Sequence, residues 1–424
     1  MARPVSPVDY GPGVVVFDGN GKLLWYHPAK GTDGVFDFRT QVYDGKPVLT
    51  WFQGTLFRGY GEGKGVIYDQ SYNQIASVRA GNGKKMDLHE FKITPEGTAL
   101  ILAYHVVKGD TRSMKGGQKS GLIHDNFVQE VDIKTGKVLM EWDAGKDIKL
   151  TESYNTIPKD KTIPFDYMHM NSVNVTQDGN LIISARATHA YYKINRKTGK
   201  LMWRMGGKKS DFKMGAGSRT KFQHDVHQLS ATYYSAYDNN GDDPATGGES
   251  RGVILKVDEK KMTVSLKKAF KHPAPIVAVS QGNMQTLPNG HAFIGWGGDA
   301  QYLTEFDAAG KVVFDAKFLS PAVDSYRAYR GDWQGAPKDS PLVDVTKSGD
   351  RSTVRMSWNG ATEIATWRVL AGPADGQLAE VGRVPWKDLE TGATFSTGQP
   401  KYQVQALDGA GTVLGTSAVV DAHS

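Results

Sequence analysis

YYKINRKTGKLMWRM, residues Tyr191 to Met205, decides the fold: two apolar strands flank a polar turn whose Asn195 and Gly199 suit a tight reversal of direction. Five more copies of the phrase occur: VVVFDGNGKLLWY from Val14, GVIYDQSYNQIASV from Gly65, VQEVDIKTGKVLMEW from Val128, VILKVDEKKMTVSL from Val253 and LTEFDAAGKVVFDA from Leu303. Starts recur every 50 to 65 residues, and repetition at that period marks a solenoid or a propeller. A propeller blade needs four strands. A second strand pair does precede five of the six hairpins: DFRTQVYDGKPVLTW from Asp37, LHEFKITPEGTALILAY from Leu88, HMNSVNVTQDGNLIISA from His169, HDVHQLSATYYSAYD from His224 and GNMQTLPNGHAFIGWG from Gly282. The hairpin from Val14 has none upstream. Residues Ser325 to Trp333 (SYRAYRGDW) follow the last hairpin and are expected to pair with it, closing a sixth blade through both chain ends and leaving no free sheet edge there. An open solenoid would need capping segments, and none stands out.

Composition agrees. The chain of 424 residues is long enough for more than one domain, and 49 glycines with many Asn-Gly and Asp-Gly turns favour β structure. No run of 18 apolar residues occurs, so no membrane span is expected. With 51 basic against 45 acidic residues the formal charge is +6. The basic pairs Lys84-Lys85, Lys208-Lys209, Lys260-Lys261 and Lys267-Lys268 are scattered without interleaved aromatics, so nucleic acid is not an expected partner. A mild positive field suits a small anionic substrate. The absence of cysteine excludes disulfides, thiolate nucleophiles and zinc-thiolate sites. The start, MARPVSPVDYGPG, lacks the apolar core of a signal peptide. The expectation is nevertheless an exported protein, extracellular or in the cell envelope, whose leader is missing from this chain.

After Trp333 the texture changes. Gly335 to Pro341 is a Gly/Pro/Asp/Ser linker, and TVRMSWNG, EIATWRVLAG, KYQVQALDGAG and TVLGTSAVV then read as short alternating strands. Trp358, Trp367 and Tyr402 fall where the core of a small β-sandwich needs them. The expected architecture is all-β: a six-bladed β-propeller over residues 10–334, which carries the chemistry, followed by a fibronectin type III-like sandwich over 342–424.

In a propeller the first strand of each blade lines the central channel, so residues at strand-pair starts converge on one mouth. Those residues are His89, His169 with Asn171, His224 with His227, and Gln281 with Asn283. So many of the 11 histidines at equivalent places are not expected from random scatter. Arg186 ends the strand NLIISAR, whose partner begins at His169, so hairpin pairing returns it to the same mouth. A guanidinium there needs an anionic partner, either a bound oxyanion or an internal carboxylate such as Asp225 or Asp238.

HMNSVNVTQDGNLIISAR, YYKINRKTGKLMWRMGGKKSDF, FQHDVHQL, the YDNNG turn, ESRG at Glu249 and SQGNMQTLPNGHAFIGWG together resemble the arylsulfotransferase family. These are aryl sulfate sulfotransferases that use no nucleotide donor and are built on a six-bladed propeller. The likeness covers about residues 10 to 334 and is similar to the branch with a trailing sandwich domain. The resemblance implies that His224 attacks the sulfur of an aryl sulfate and is transiently sulfated. It also implies that His169, Asn171 and Arg186 hold the sulfuryl oxygens and that His89 assists the phenolic oxygen. The implied partners are a small aromatic sulfate donor and a phenolic acceptor; no cofactor is implied. This chain departs from better-known bacterial members, which carry a cysteine pair and an N-terminal sandwich.

The chemistry fits those roles. A neutral imidazole is a competent nucleophile near neutral pH, and a covalent intermediate splits one hard transfer into two easier ones with ping-pong kinetics. His89 can protonate the departing phenoxide and deprotonate the acceptor. Asp225 either orients an imidazole or terminates a turn. GYGEGKG from Gly59 and KGGQKSG from Lys115 do not fit a phosphate-binding loop. Three other readings stand beside this one: another activity on, or binding of, an aromatic anion; a three-histidine metal site of His89, His169 and His224; and a quinone-dependent dehydrogenase suggested by the KTGK texture at Lys134 and Lys197. Asp238, Asn240, Asp242 and Glu249 are spaced like a calcium loop, but Asp243 stands where glycine is needed, so an acidic hairpin loop is expected.

Overall fold

The computed structural model describes residues 11–240, 248–298, 300–320 and 323–424. Two compact units result. One comprises Ala29–Ile67 and Ala76–Gly331; the other comprises Pro12–Pro28, Tyr68–Ile75 and Asp332–Ser424.

The turns explain why these residues form strands. In the stretch from Tyr191, the Asn195 side chain accepts from the N–H groups of Lys197 (3.1 Å) and Thr198 (2.9 Å). Gly199 takes φ +67° and donates to the Asn195 carbonyl at 2.8 Å. That left-handed backbone is open to glycine without steric cost. Asp132 and Gly136 repeat the arrangement in the copy from Val128.

The chain opens with a hairpin, β1 (Gly13–Phe17) and β2 (Leu23–Pro28), which forms its own two-stranded sheet. The first unit then follows as five four-stranded antiparallel meanders. These are β3 (Gly34–Tyr43), β4 (Lys46–Phe57), β5 (Tyr60–Tyr68) and β6 (Gln74–Val78); β7 (Lys85–Ile93), β8 (Thr98–Gly109), β9 (Gly121–Asp132) and β10 (Val138–Asp143); β11 (Met170–Val175), β12 (Leu181–Ala185), β13 (Ala190–Ile194) and β14 (Leu201–Gly206); β16 (His224–Ser230), β17 (Tyr233–Asp238), β18 (Arg251–Asp258) and β19 (Thr263–Phe270); and β20 (Asn283–Thr286), β21 (Ala292–Gly295), β22 (Tyr302–Phe306) and β23 (Val312–Lys317). The short β15 (Lys213–Met214) adds in parallel to β19. The first two meanders join into one eight-stranded sheet through Gly63 and Met86. A Cβ on Gly63 would lie 2.3 Å from the Gln53 carbonyl oxygen, so only glycine permits that approach.

First strands neighbour one another in order: β3 with β7, β7 with β11, β11 with β16, β16 with β20. Apolar clusters fill the spaces between successive sheets, with Trp142 packed among Leu102, Val128 and Tyr192, and Trp203 among Tyr191, Val226 and Tyr234. Four first strands carry a β-bulge, at Phe36/Arg39, Met86/Phe91, Met170/Ser172 and His224/His227. Asp37, His169 and Asp225 sit at or beside these bulges with φ of 58°, 52° and 55°. Such bulges re-aim side chains out of the pleat, at a backbone cost of about 1–3 kcal/mol each.

Where the first strands meet, buried charges interlock. The Arg327 guanidinium reaches Asp37 at 2.9 Å, Glu90 at 3.3 Å and Asp225 at 3.8 Å, while Arg39 pairs with Asp37 and, at 2.5 Å, with Glu90. Every side chain here is at most 4% exposed.

The expected closure of a sixth blade needs correction. Ser325 forms its bridge with Gly298, and Ala328 and Arg330 bond to the Asn283 and Gln285 side chains, so Ser325–Trp333 does not pair with the Val14 hairpin. The hairpin instead belongs to the second unit. Its Leu24 carbonyl accepts from Gly360 (2.9 Å), Tyr26 exchanges two bonds with the Asn359 amide, and Trp25, 3% exposed, stacks on Tyr72 at 4.7 Å. The reason is long-range: the turn after β25 (Arg351–Ser357), at Asn359 and Gly360, offers amide groups matched to a hairpin whose own four-stranded complement is missing. Described residues therefore show five meanders, not six.

The rest of the second unit is two sheets around one core. A three-stranded sheet holds β24 (Leu342–Ser348), β25 (Arg351–Ser357) and β28 (Glu390–Phe395); the other holds β26 (Thr366–Gly372), β27 (Ala379–Pro385), β29 (Lys401–Leu407), β30 (Val413–Thr416) and β31 (Val420–Asp421). Trp367 and Tyr402 are wholly buried between them, with Trp358 packed at the edge. The Tyr402 hydroxyl donates to the Thr397 carbonyl at 3.0 Å.

Arg327→Ala is expected to leave three buried carboxylates under-compensated and to lower unfolding stability by about 3–5 kcal/mol, read as a fall in the urea midpoint. An unchanged midpoint would show that the cluster does not hold the first strands together.

Candidate active site

Three successive first strands each deliver one imidazole: His89 from within β7, His169 just before β11 and His224 at the start of β16. In β7, Asp87 precedes His89 by two residues and folds back onto it: its carboxylate takes the His89 backbone N–H (3.0 Å) and the ring Nδ1 (2.5 Å). Just before β11, Asp166 does the same for His169 Nδ1. Both carboxylates are held below the usual range by these imidazoles against the opposing effect of burial. They thereby place the ring proton on Nδ1 and turn Nε2 away. The two rings meet edge to face with centroids 4.8 Å apart.

His224 opens β16 and is 1% exposed. Its Nδ1 lies 2.7 Å from Asn239 Oδ1, whose amide nitrogen is committed to the carbonyls of Ala278 and Gln281. Oδ1 is therefore the acceptor, Nδ1 carries the proton, and the Nε2 lone pair accepts the Gln281 backbone N–H at 3.3 Å. Burial, with Arg186 next and His89 and His169 adding to it, drives the imidazole well below its ordinary pKa. The ring is neutral at physiological pH.

Arg186 follows β12, and its backbone N–H donates to the His169 carbonyl at 2.9 Å. The guanidinium lies over Phe222 at 4.6 Å and donates to the Val279 carbonyl at 3.0 Å. His89, His169, His224 and Arg186 thus gather at one end of the first strands. The other sequence candidates sit differently. Asn171 is wholly buried and spends its amide on the Gln223 carbonyl (2.8 Å), beside His224. Gln281, at φ 67°, contacts His224 through its backbone, while its side chain accepts from Gly298. Asn283 is occupied in both directions by the Ala328 backbone. His227, three residues along β16 from His224 and so about 10 Å away, pairs with Asp225 (2.9 Å) and lines a separate depression with Lys92, Asn174 and Gln228.

Sequence reasoning missed the groups that orient the imidazoles. Asp87 and Asp166 were signalled by D-x-H and D-x-x-H spacing; Asn239, fifteen residues from His224, stands in the YDNNG turn, but nothing there tied it to the imidazole. Tyr60, Tyr104 and His124 were also missed. They form an aromatic wall, with His124 4.1 Å from Tyr60 and 4.6 Å from Tyr104, and the Tyr104 hydroxyl on the Met170 carbonyl. A Cβ on Gly59, in the β4–β5 turn, would stand 3.7 Å from His169 Cε1, so that turn lies over the imidazole.

As a metal site the constellation is mixed. Asp87 and Asp166 are the outer carboxylates that ligating histidines want, yet Arg186 sets a positive charge against His224. Among the described residues no group of three His, Asp or Glu is arranged to hold a metal ion. In the acidic loop, Asp238 pairs with Arg251 and Glu249 with Lys271; Asp242 and Asp243 lie outside the described residues. No helix among the described residues is long and apolar enough to cross a membrane.

The family description "Arylsulfotransferase (ASST)" matches residues 39–319. No curated protein matches the chain. Among solved structures, a protein of unknown function from Bacteroides caccae is 13% identical over 74% of this chain and 93% of that one, with TM-score 0.45. The periplasmic gluconolactonase of Pseudomonas aeruginosa is 13% identical over 92% and 97%, TM-score 0.36. A catalytically inactive virginiamycin B lyase from Staphylococcus aureus, with quinupristin, is 9% identical over 87% and 86%, TM-score 0.35.

Next to the site, His189 stacks on Tyr154 (centroids 3.9 Å) and meets Phe222 edge-on (4.2 Å). Burial, then Arg186, Lys221 and Lys208, push its pKa down to about 3. The unfolded imidazole, near 6.5, binds a proton that the folded one refuses, so stability falls as pH drops from about 6.5 towards 3, by at most about 1.4 kcal/mol per pH unit. His189→Gln is expected to flatten the urea-midpoint profile between pH 6 and 4 by up to one proton. A slope equal to wild type would show that His189 is not held neutral by the fold.

Proposed function

This chain belongs to the arylsulfotransferase family, and from that premise we propose that it moves a sulfuryl group from a phenolic sulfate to a phenolic acceptor through a sulfated His224. The reading rests on one observation above all: a buried neutral imidazole deprotonated at Nε2, where its lone pair accepts a long 3.3 Å bond from the Gln281 N–H that the donor's sulfur has to displace, set beside a guanidinium and two carboxylate-oriented imidazoles. Nε2 attacks sulfur, the S–N bond forms, and the bond from sulfur to the phenolic oxygen breaks. Arg186 and His169 hold the sulfuryl oxygens as charge shifts in the in-line transfer. His89, taking part in its doubly protonated form with the charge balanced by Asp87 against the opposing effect of burial, gives its Nε2 proton to the departing phenoxide. In the second half it takes the proton of the acceptor phenol, whose oxygen displaces Nε2 and restores His224. Protons and charge balance over the cycle.

Asn171 serves the sulfuryl group indirectly in this account, by fixing the Gln223 carbonyl beside the nucleophile. The acceptor ring is assigned to the wall of Tyr60, Tyr104 and His124, and the family's small aryl substrates fit such a surface. The five meanders are read as a propeller-type catalytic body and the two-sheet unit as an accessory fibronectin type III-like sandwich, its buried Trp367 and the Tyr402 corner bond being the supporting features.

The test is turnover of p-nitrophenyl sulfate with and without added phenol, with intact-mass analysis of enzyme quenched before acceptor is added. The expected result is acceptor-dependent turnover, a mass gain of one sulfuryl group, and loss of both in His224→Ala. Turnover that survives in His224→Ala would remove the nucleophile assignment.

A further inference from the structure

We infer that Tyr326 and Arg327 are positioning residues for the site, bracing His89 and His224 from beneath; the inference rests on the roles proposed above. Their segment follows the last meander, and its contacts reach every first strand, at Asp37, His89, Asn171, Asp225 and Asn283. The Tyr326 hydroxyl donates to the His89 carbonyl at 2.8 Å, and its ring stands edge-on to the His89 ring at 5.9 Å. Its own carbonyl takes the Gly282 N–H at 2.9 Å. Ala328 is held in both directions by the Asn283 amide, at 2.9 and 2.7 Å.

Arg327 brackets the nucleophile. Its Nη2 donates to the Asn171 carbonyl at 2.6 Å, and the Asn171 amide in turn holds the carbonyl of Gln223, the residue before His224. Its Nη1 lies 3.8 Å from Asp225, the residue after His224, whose φ of 55° needs outside support. A single guanidinium is therefore linked to both neighbours of His224, to Gln223 by way of Asn171 and to Asp225 through its carboxylate, and it also binds the carboxylate of Glu90, the residue after His89. A planar fork with fixed donor angles suits this bracing; an ammonium group would carry the charge without the geometry. The imidazole of His89 is faced by Asp87, His169, Tyr104, Tyr326 and Arg327. Loss of the Tyr326 hydroxyl frees its backbone carbonyl within that packed group.

Tyr326→Phe and Arg327→Lys test the inference, since each keeps most of the native bulk or charge. With p-nitrophenyl sulfate and phenol, kcat is expected to fall about 10- to 100-fold with KM within about 2-fold, as small misplacements of reacting groups do. The pH profile is expected to shift with it in Tyr326→Phe. A second readout needs no turnover: in imidazole 1H–15N spectra, the His89 ring signals should move in Tyr326→Phe and the His224 signals in Arg327→Lys, while those of His291 stay fixed. Unchanged kinetics together with unchanged ring signals overturn the inference. If wild-type protein transfers no sulfuryl group, the proposed function falls, and the ring signals alone decide the positioning role.

Discussion

Two arginines and three carboxylates, buried together where the first strands meet, are the constraint from which the rest of the first unit follows. Arg327 and Asp37 are 290 positions apart in sequence yet 2.9 Å apart in space. Desolvating so many charges costs several kcal/mol per ion, and only close mutual pairing offsets it. The cluster therefore tolerates one arrangement of its strands. Asp37 shows the strain of that balance: burial above all raises its carboxyl to about 6, against the pull of Arg39 and Arg327. Asp225, beside His227 and Arg327, is drawn strongly the other way by its partners despite the same burial.

On this base the imidazoles acquire distinct characters. His89 and His169 have carboxylates at Nδ1, whereas His224 has an amide oxygen there and cations nearby. An amide fixes the tautomer without lending negative charge, so His224 stays a neutral donor of its lone pair. At His89 the Asp87 carboxylate works to raise the imidazole's pKa, but burial outweighs it and holds the ring below its ordinary value. Different partners at one ring atom thus distinguish the imidazole held by an amide from the two held by carboxylates.

Much of this was written in the sequence. Turn residues such as Asn195 and Gly199 announced hairpins because their chemistry is local, and repetition announced the meanders. His89, His169, His224 and Arg186 were legible because strand starts and ends are positions that a hairpin reading already fixes. Ring closure was misread because pairing of the Val14 hairpin depends on partners hundreds of residues away, at Asn359 and Gly360, which no local pattern reveals. SYRAYRGDW was expected to close a blade with the Val14 hairpin; it instead bonds to the first strands, through Tyr326 to the His89 carbonyl and through Arg327 to the Asn171 carbonyl. Asn171, Gln281 and Asn283 were found as residues at the mouth, yet their side chains serve neighbouring backbone, a distinction between touching and facing that strand position cannot supply.

The most direct measurement is a crystal structure of a His224→Asn variant soaked with p-nitrophenyl sulfate. The account predicts the sulfuryl oxygens on Arg186 and His169, with sulfur facing residue 224 and the phenolic oxygen towards His89. A donor bound instead beside Lys92 and His227, or with its sulfur out of reach of residue 224, would contradict it.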